Sequence, residues 1–226
     1  MNIVDIHICD DTLFCQLGDL DAVQAASSAL RQQTVWREIV PGLESFAVQF
    51  DPAQITPDKA SVLLREQLLQ PLAAAVPQIE PIAVPVCYDK IFAPDQEWIA
   101  DKMGMSPEAL IAWHNNLSFT VTMLGFMPGF AYLRCQEEIT KIGRLPKPRQ
   151  QVEAGSIGII GDQSCIYSFS SPGGWPIIGR TPVHLFRPEN HQPALLSANQ
   201  VVSFRSIDKA EFEKIAEEQY SREPGE

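Results

Sequence analysis

The glycines of this chain gather in one region, and this feature most constrains the fold. Nine of the 13 glycines lie between Gly125 and Gly179, where glycine and proline separate short apolar runs. Such a region predicts short strands joined by tight turns, as in a β-barrel. Residues 95–103 and 107–115 before it, and residues 209–220 at the end, have the pattern of helices. We therefore predict a β-barrel domain over residues 89–226.

The first 88 residues have a different pattern, in which strands and helices alternate. Strand candidates lie at residues 4–8, 12–17, 34–40, 44–50 and 82–87, and helices at 21–26 and 57–72. The second helix has a typical start signal, because Thr56 can cap it and Pro57 suits its first position. After one extra strand at the front, the order is that of a ferredoxin-like domain. We expect such an α/β domain over residues 1–88, and hence an α+β fold.

The stretch TVTMLGFMPGFAYL, residues 120–133, combines an alternating strand with a rigid corner. Pro128 fixes its own φ and Gly129 accepts a positive φ, so the pair suits the centre of a type II turn. The turn places Phe126 and Phe130 on either side of the corner, with Tyr132 just beyond it. These aromatic side chains either cap a hydrophobic core, which is the simpler interpretation, or form one wall of a ligand-binding loop.

The net charge and the cysteines exclude several classes of partner. The formal charge of −11 would repel nucleic acid and anionic membranes. The five cysteines form no CxxC pair, and the N-terminal residues MNIVDIHICDDT lack the features of a secretory signal. The apolar runs are shorter than the roughly 20 residues needed to span a bilayer. We therefore expect reduced thiols and a cytoplasmic protein.

Residues 141–180 are basic in an otherwise acidic chain. The segment carries five basic and two acidic residues, a local charge of +3. Within SSPGGWPIIGRTP, the N–H groups of Gly173 and Gly174 can form an anion-binding nest, and Arg180 offers a planar fork for carboxylate or phosphate. The alternative is a tight hairpin with Trp175 in the core and Arg180 in a surface ion pair.

His114 ends the predicted helix at residues 107–115 and precedes the strand that leads to Phe126. Histidine is the usual general base near neutral pH, so His114 is a candidate catalytic residue. The helix dipole equally favours a histidine at this position without any catalytic role. The other three histidines have no metal-ligand spacing, and we predict no metal site.

Several common catalytic motifs are missing from the sequence. There is no GxxxxGK[ST], no GxGxxG and no GxSxG. Cys165 lies in the apolar stretch SCIY, which favours a buried filler over an activated thiolate. The sequence thus gives poor support to a hydrolase that acts without partners.

Three motifs of the second half carry a family resemblance. GFMPGFAYL, PKPRQQVEAGSIGIIGDQSCIY and SSPGGWPIIGRTP, in this order and spacing, closely resemble the family of the B subunit of 5-oxoprolinase. The family is also known as allophanate hydrolase subunit 1 and includes a sporulation histidine-kinase inhibitor. DDTLFCQLGD and IAVPVCYD are weaker matches in the first half, so the resemblance covers nearly the whole chain.

The resemblance implies a fold, an activity and partners. The fold would be an α/β domain followed by a cyclophilin-like β-barrel. The activity would be ATP-dependent opening of the 5-oxoproline lactam to glutamate, by a complex in which subunits A and C complete an enzyme that this chain cannot form alone. ATP would act in the assembled complex. The residues Phe126, Pro128, Gly129, Phe130 and Tyr132 would form a rigid wall of the barrel cleft that faces the SPGGW loop and Arg180.

The resemblance also assigns roles and leaves alternatives. Arg180 or Arg149 would hold the substrate carboxylate or a phosphate, and His114 would move a proton. Glu153 stands where the family usually has proline, and Ser164–Ser168 also departs from its pattern, which leaves the substrate open. Two other functions remain: half of a biotin-dependent carboxyltransferase for urea or a similar amide, and a non-enzymatic inhibitor of a histidine kinase.

Overall fold

In the computed structural model, which describes residues 5–70, 79–135 and 141–220, the chain divides into two units, Met1–Gln78 and Ile79–Glu226. The predicted first residue of strand one and the last residues of helix two, 71–72, lie outside the described residues. The elements of the first unit are β1 (Asp5–Cys9), β2 (Thr12–Gln16), α1 (Leu20–Leu30), β3 (Trp36–Pro41), β4 (Ser45–Phe50) and α2 (Pro57–Leu69).

The first unit is an antiparallel sheet in the order β1-β2-β4-β3, with α1 and α2 packed on it. Alternation along β4 buries Phe46, Val48 and Phe50, which join helix residues in one core. Helix α1 begins after Asp19, whose carboxylate accepts the Ala22 N–H at 2.9 Å. Thr56 does occupy the N-cap of α2, although its side chain makes no capping hydrogen bond.

The ferredoxin-like order is not completed in this unit. The strand expected to complete it, β5 (Ile82–Cys87), instead pairs in parallel with β13 (Val201–Ile207) in the second unit. Its sequence IAVPVC is almost continuously apolar, as is typical of a parallel strand whose two faces are both covered. The edge beside β2 is occupied by β1, and the two units divide ten residues before the predicted boundary at residue 88.

A closed seven-stranded barrel forms the second unit, in the order β10-β7-β6-β13-β5-β12-β9. The predicted barrel is thus confirmed, with β5 added to it. Strands β8 and β11 form a separate two-stranded sheet. The remaining elements are α3 (Gln96–Met103), α4 (Pro107–Asn116), β6 (Ser118–Leu124), β7 (Ala131–Cys135), β8 (Arg149–Val152), β9 (Ser156–Ile160), β10 (Gln163–Ile166), β11 (Ser171–Gly173), β12 (Ile177–Arg180) and α5 (Lys209–Tyr220).

Buried aliphatic and aromatic residues fill the barrel, among them Phe119, Leu133 and Ile157. Gly155 has φ 81°, and a Cβ there would lie 2.1 Å from the Thr181 carbonyl oxygen, so the approach of the chain to Thr181 requires glycine. All five cysteines are free thiols, and only Cys9 is exposed. Over the described ranges, no helix combines the length and apolar character needed to cross a lipid bilayer.

Candidate functional site

The predicted turn of the GFMPGF stretch is present. The Phe130 N–H donates to the Met127 carbonyl oxygen at 3.1 Å, and Gly129 adopts φ 73°, as a type II turn requires. A Cβ on Gly129 would lie 2.7 Å from the Phe186 Cβ and 2.9 Å from the Leu185 carbonyl oxygen. Glycine is therefore needed both for the turn and for its close contact with residues 185–186.

Phe126 combines a strained backbone with an exposed side chain. Its φ of 73° lies in the left-handed region, which is unfavourable for an aromatic residue. The side chain is 65% exposed and meets Phe130 edge-on, with ring centroids 5.3 Å apart. The fold thus holds a large apolar side chain in solvent at a conformational cost, which is a feature of binding surfaces.

The structure brings three of the predicted aromatic residues, Phe130, Tyr132 and Trp175, into one cluster with Tyr167. Phe130 lies 4.8 Å from Tyr132 and 5.1 Å from Tyr167 between ring centroids, and Tyr132 lies 6.4 Å from Trp175. Phe130, Tyr167 and Trp175 are buried, so they form a core cluster rather than an open wall. Burial raises the pKa of Tyr132 and Tyr167, which keeps both phenols neutral.

The predicted anion-binding nest at Gly173-Gly174 is not formed. A nest needs backbone conformations of alternating hand, and neither glycine has a positive φ. Gly173 ends strand β11 and pairs with Arg149. It must be glycine because a Cβ there would lie 2.3 Å from the Tyr167 hydroxyl oxygen. Gly173 therefore packs against the aromatic cluster, whereas Gly174 lies beside Pro148.

Arg149 is engaged in an ion pair within the barrel unit. Its Nη2 donates to Asp95 Oδ1 at 2.7 Å, and Asp95 Oδ2 accepts the Ile177 N–H at 2.7 Å. Its Nη1 is buried and has no partner among the described residues. The ion pair therefore links β8 to the start of α3. Asp95 neutralises the positive charge of Arg149, which the sequence analysis had proposed for binding a ligand.

His114 lies inside the hydrophobic core of the barrel unit. The side chain is 0% exposed and stacks on Phe204, with ring centroids 4.7 Å apart. Its Nδ1 is 2.7 Å from the Tyr88 hydroxyl, and its Nε2 has no partner in the described part of the chain. Burial lowers the pKa of His114 from 6.5 to about 3, so the ring is neutral. No ligand can reach it in this conformation.

Arg180 ends strand β12, as the sequence predicted, and lines an open cleft. Its Nε donates to the Ala154 carbonyl oxygen at 2.7 Å, and its guanidinium carbon lies 5.9 Å from the ring centroid of Phe92. These contacts fix the orientation of the side chain. Neither Nη group has a hydrogen-bond or ion-pair partner within the described residues. The outer edge of the fork is therefore available to an anion.

The cleft beside Arg180 has a volume of about 690 Å³, which is in the range of small-molecule sites. Apolar side chains cover most of it, and Phe169 and Phe186 lie together with ring centroids 6.1 Å apart. Arg187 is held by the Gln219 carbonyl and side-chain oxygens, both at 2.9 Å, and so fastens the end of α5. The Ser168 hydroxyl is buried at the cleft and has no partner among the described residues.

The predicted site residues thus fall into separate places. Arg180 lines the cleft, and the turn that carries Phe126, Pro128 and Phe130 is joined to it through the contact of Gly129 with Phe186. The sequence analysis did not predict Ser168, Phe169 or Phe186 as site residues. The only available signal was that SFSS, which contains Ser168 and Phe169, adjoins the SPGGW loop. In the described ranges, no group of three or more His, Cys, Asp or Glu side chains lies close enough to hold a metal ion.

Comparison with known proteins places this architecture in a family. A sequence model described as carboxyltransferase domain, subdomain C and D, matches residues 8–196. The B subunit of 5-oxoprolinase from Bacillus subtilis (strain 168) is 42% identical over 137 residues, which cover 61% of this chain and 57% of that protein. The B subunit of 5-oxoprolinase from Haemophilus influenzae is 35% identical over 210 residues, which cover 90% of this chain and 97% of that protein.

A solved structure, that of TTHA0988, has a similar fold, with a TM-score of 0.74 and 26% sequence identity. The match covers 88% of this chain and 40% of TTHA0988. The chain therefore spans less than two thirds of the Bacillus subtilis relative and of TTHA0988, while it spans nearly all of the Haemophilus influenzae protein.

Proposed function

Because the chain belongs to the family of the 5-oxoprolinase B subunit, also known as allophanate hydrolase subunit 1, we propose that it is the B subunit of a bacterial, ATP-dependent 5-oxoprolinase. Together with subunits A and C it opens the lactam of 5-oxoproline to glutamate in the cytoplasm, and it is inactive alone. The match of almost full length to the Haemophilus influenzae protein supports this role. We also propose that the closed seven-stranded barrel is cyclophilin-like.

The position of the Arg180 guanidinium in the cleft is the structural observation that best supports the proposal. 5-Oxoproline has one carboxylate and one lactam on a small apolar ring. The Arg180 fork lies in a cleft with mostly apolar walls, which suits a carboxylate attached to such a ring. The buried hydroxyl of Ser168 is a candidate partner for a substrate oxygen or nitrogen. In the proposal, these two side chains bind and orient the substrate.

The remaining chemistry comes from outside this chain. An amide is stabilised by resonance, and a phosphoryl group supplied by ATP makes its oxygen a leaving group. Within the chain, Arg180 holds the substrate carboxylate so that the lactam faces the reacting groups. In the proposal, the neutral, buried His114 takes no part in proton transfer and instead packs on Phe204 in the barrel unit. Arg149 likewise has a structural role, because Asp95 neutralises it.

A partner protein is needed to close the site. The Arg180 cleft is open to solvent, whereas phosphoryl transfer requires that water be excluded. Phe126 lies exposed on the turn that contacts Phe186, a residue of the cleft wall. We assign the surface around Phe126 to the contact with the C subunit. The name of the relatives, which denotes one subunit of an enzyme, supports an assembly of several chains.

The test is reconstitution of the enzyme. The purified chain is mixed with the products of its neighbouring genes, 5-oxoproline and ATP, and glutamate and ADP are measured. We expect both products in equal amounts from the complete mixture, and none when this chain, either partner or ATP is omitted. Urea replaces 5-oxoproline in a parallel reaction that tests the carboxyltransferase alternative. The proposal is wrong if the complete mixture forms no glutamate, or if only urea supports ATP consumption.

A further inference from the structure

A second cleft lies on the barrel unit, between helix α3 and residues 141–146, and it shares no lining residue with the Arg180 cleft. Its volume is about 560 Å³, in the range of small-molecule sites. Trp98 and Lys102 line it from α3, where a spacing of four residues puts them on one helix face. Lys141 and Arg144 line it from the opposite segment. The proposed function makes no use of these side chains.

The cleft is strongly basic in an acidic chain. Among the described residues, three cations and no carboxylate line it, although the chain as a whole has a net charge of −11. None of Lys102, Lys141 and Arg144 has an ion-pair or hydrogen-bond partner within residues 5–70, 79–135 and 141–220. A lysine in the last turn of α3 is favoured by the helix dipole, but this explains Lys102 alone. Three converging cations instead predict a ligand with several negative charges.

The rest of the lining is aromatic and apolar. The Trp98 side chain is 39% exposed, so an indole surface is available to a planar group. Met103 and Met105 add polarisable thioethers, which adapt to the edges of a ring. An inorganic anion would leave this half of the cleft unfilled. The lining therefore fits a ligand with an anionic end and a planar end.

Residues 141–146 are also held against the aromatic cluster. The Leu145 N–H donates to the Gly174 carbonyl oxygen at 2.8 Å, which links the cleft segment to the SPGGW loop. Burial raises the pKa of Tyr132 and Tyr167, and the nearby Arg144 opposes that rise. The basic side of the cleft thus rests on the rigid part of the barrel unit. Its cations are placed by the fold and are not carried on a free tail.

We propose that this cleft binds a nucleoside diphosphate or triphosphate, with the phosphates on Lys102, Lys141 and Arg144 and the base on Trp98. Cationic side chains hold phosphate oxygens through charge-assisted hydrogen bonds, and tryptophan provides the stacking surface for a base. Binding of a phosphorylated planar ligand follows from the lining alone. The choice of a nucleotide rests on the proposed function, which consumes ATP.

The test measures binding of ADP to the full-length chain by isothermal titration calorimetry, with pyrophosphate and adenosine as separate ligands. We expect saturable ADP binding that weakens as salt is added, because the contacts are ionic. Arg144→Gln and Lys102→Gln should each weaken it about tenfold. Trp98→Leu should weaken ADP binding about fivefold and leave pyrophosphate binding unchanged. Lys59→Gln, an exposed lysine on α2, is the control with the same charge change and should bind ADP as the wild type does.

Three results would overturn the inference: no saturable ADP binding, an equal loss in Lys59→Gln, or pyrophosphate binding as tightly as ADP. Circular dichroism melts show whether each variant is folded, and the substituted side chains are exposed, so we expect all of them to fold. If the reconstituted complex forms glutamate but the cleft binds no ADP, this inference fails and the proposed function stands. If ADP binds but no glutamate forms, the proposed function fails and nucleotide binding stands.

Discussion

The Nη2 of Arg149 lies 2.7 Å from Oδ1 of Asp95, across 54 residues of sequence. The Asp95 side chain is nearly buried, and its second carboxylate oxygen accepts the Ile177 N–H. One carboxylate therefore connects α3, β8 and β12 in the barrel unit. The arginine that the sequence suggested for substrate binding stabilises the fold that carries the Arg180 cleft.

This ion pair leads to the first prediction. Asp95→Asn removes the charge that neutralises Arg149 and should lower the free energy of unfolding by about 1 to 3 kcal/mol. Urea denaturation followed by circular dichroism measures the change. Asp101→Asn, at an exposed position of α3, makes the same substitution outside the pair and should change stability by less than about 0.5 kcal/mol. Equal stability of the two variants would show that the pair contributes nothing.

The second prediction compares two glycines of the GFMPGF stretch. Gly129→Ala puts a Cβ in a left-handed residue and against Phe186, so it should lower the free energy of unfolding by at least about 2 kcal/mol. Gly125 has open space at its Cβ position and no positive φ, and Gly125→Ala should cost less than about 0.5 kcal/mol. Denaturant midpoints of the two variants test this. A tolerated Gly129→Ala would contradict the close contact of the turn with Phe186.

The third prediction concerns pH. The pKa of His114 is lowered to about 3 in the folded chain, against 6.5 for the ordinary side chain, so only the unfolded chain takes up the proton as pH falls below 6.5. The stabilisation from neutral His114 is complete above pH 6.5 and declines by about 1.4 kcal/mol per pH unit towards pH 3. His114→Phe, which keeps the stack on Phe204, should remove this slope between pH 5 and pH 6.

The control for His114 is Leu110→Ala, which opens a cavity on the same face of α4 and titrates no group. It should lower the free energy of unfolding at every pH by a similar amount and keep the slope of the wild type. If His114→Phe retains the full wild-type slope, His114 is not the neutral core histidine described above. The folded variant should also retain activity in the reconstituted complex, because His114 does not reach the cleft.

Local signals in the sequence predicted where helices, strands and turns lie better than which of them pair or contact each other. The turn at Met127–Phe130, the end of β12 at Arg180 and the bounds of α5 follow from residue type and periodicity. The pairing of β5 with β13 does not, because it joins residues 120 positions apart, Ile82 with Val202, and the apolar run of β5 does not specify which strand lies beside it. The ion pair of Arg149 with Asp95 was not foreseen for the same reason.

The interior position of His114 had a signal that was available. His114 and Leu110 are four residues apart, so they share one face of α4, and both are buried. The spacing thus put His114 on the face of Leu110, but the sequence left the catalytic and the non-catalytic interpretations equal, and the burial of that face comes from the structure. The exposure of Phe126 had no such signal, since the alternation of β6 ends at Leu124 and the positive φ of Phe126 follows from the tertiary fold.

The fourth prediction tests Phe126 as a partner contact. Phe126→Gly relieves the left-handed strain and removes an exposed ring, so stability should stay within about 1 kcal/mol of the wild type. The affinity for the C subunit should fall about tenfold or more, as for a central aromatic residue of an interface. Surface plasmon resonance with this partner immobilised measures it. The control is Ile91→Ser, which changes a similarly exposed apolar residue and should bind the C subunit normally. Normal binding by Phe126→Gly would show that the surface around Phe126 does not contact the C subunit.

Turnover of 5-oxoproline by the reconstituted complex, with wild-type chain and with Arg180→Lys, tests the central claim most directly. The account predicts ATP-dependent glutamate formation by the wild type. Lysine cannot make the bidentate contact, so kcat/KM for Arg180→Lys should be roughly ten- to a hundredfold lower, with an unchanged thermal melt. No glutamate from the complete wild-type mixture would contradict the proposed function, and full activity of Arg180→Lys would contradict its site.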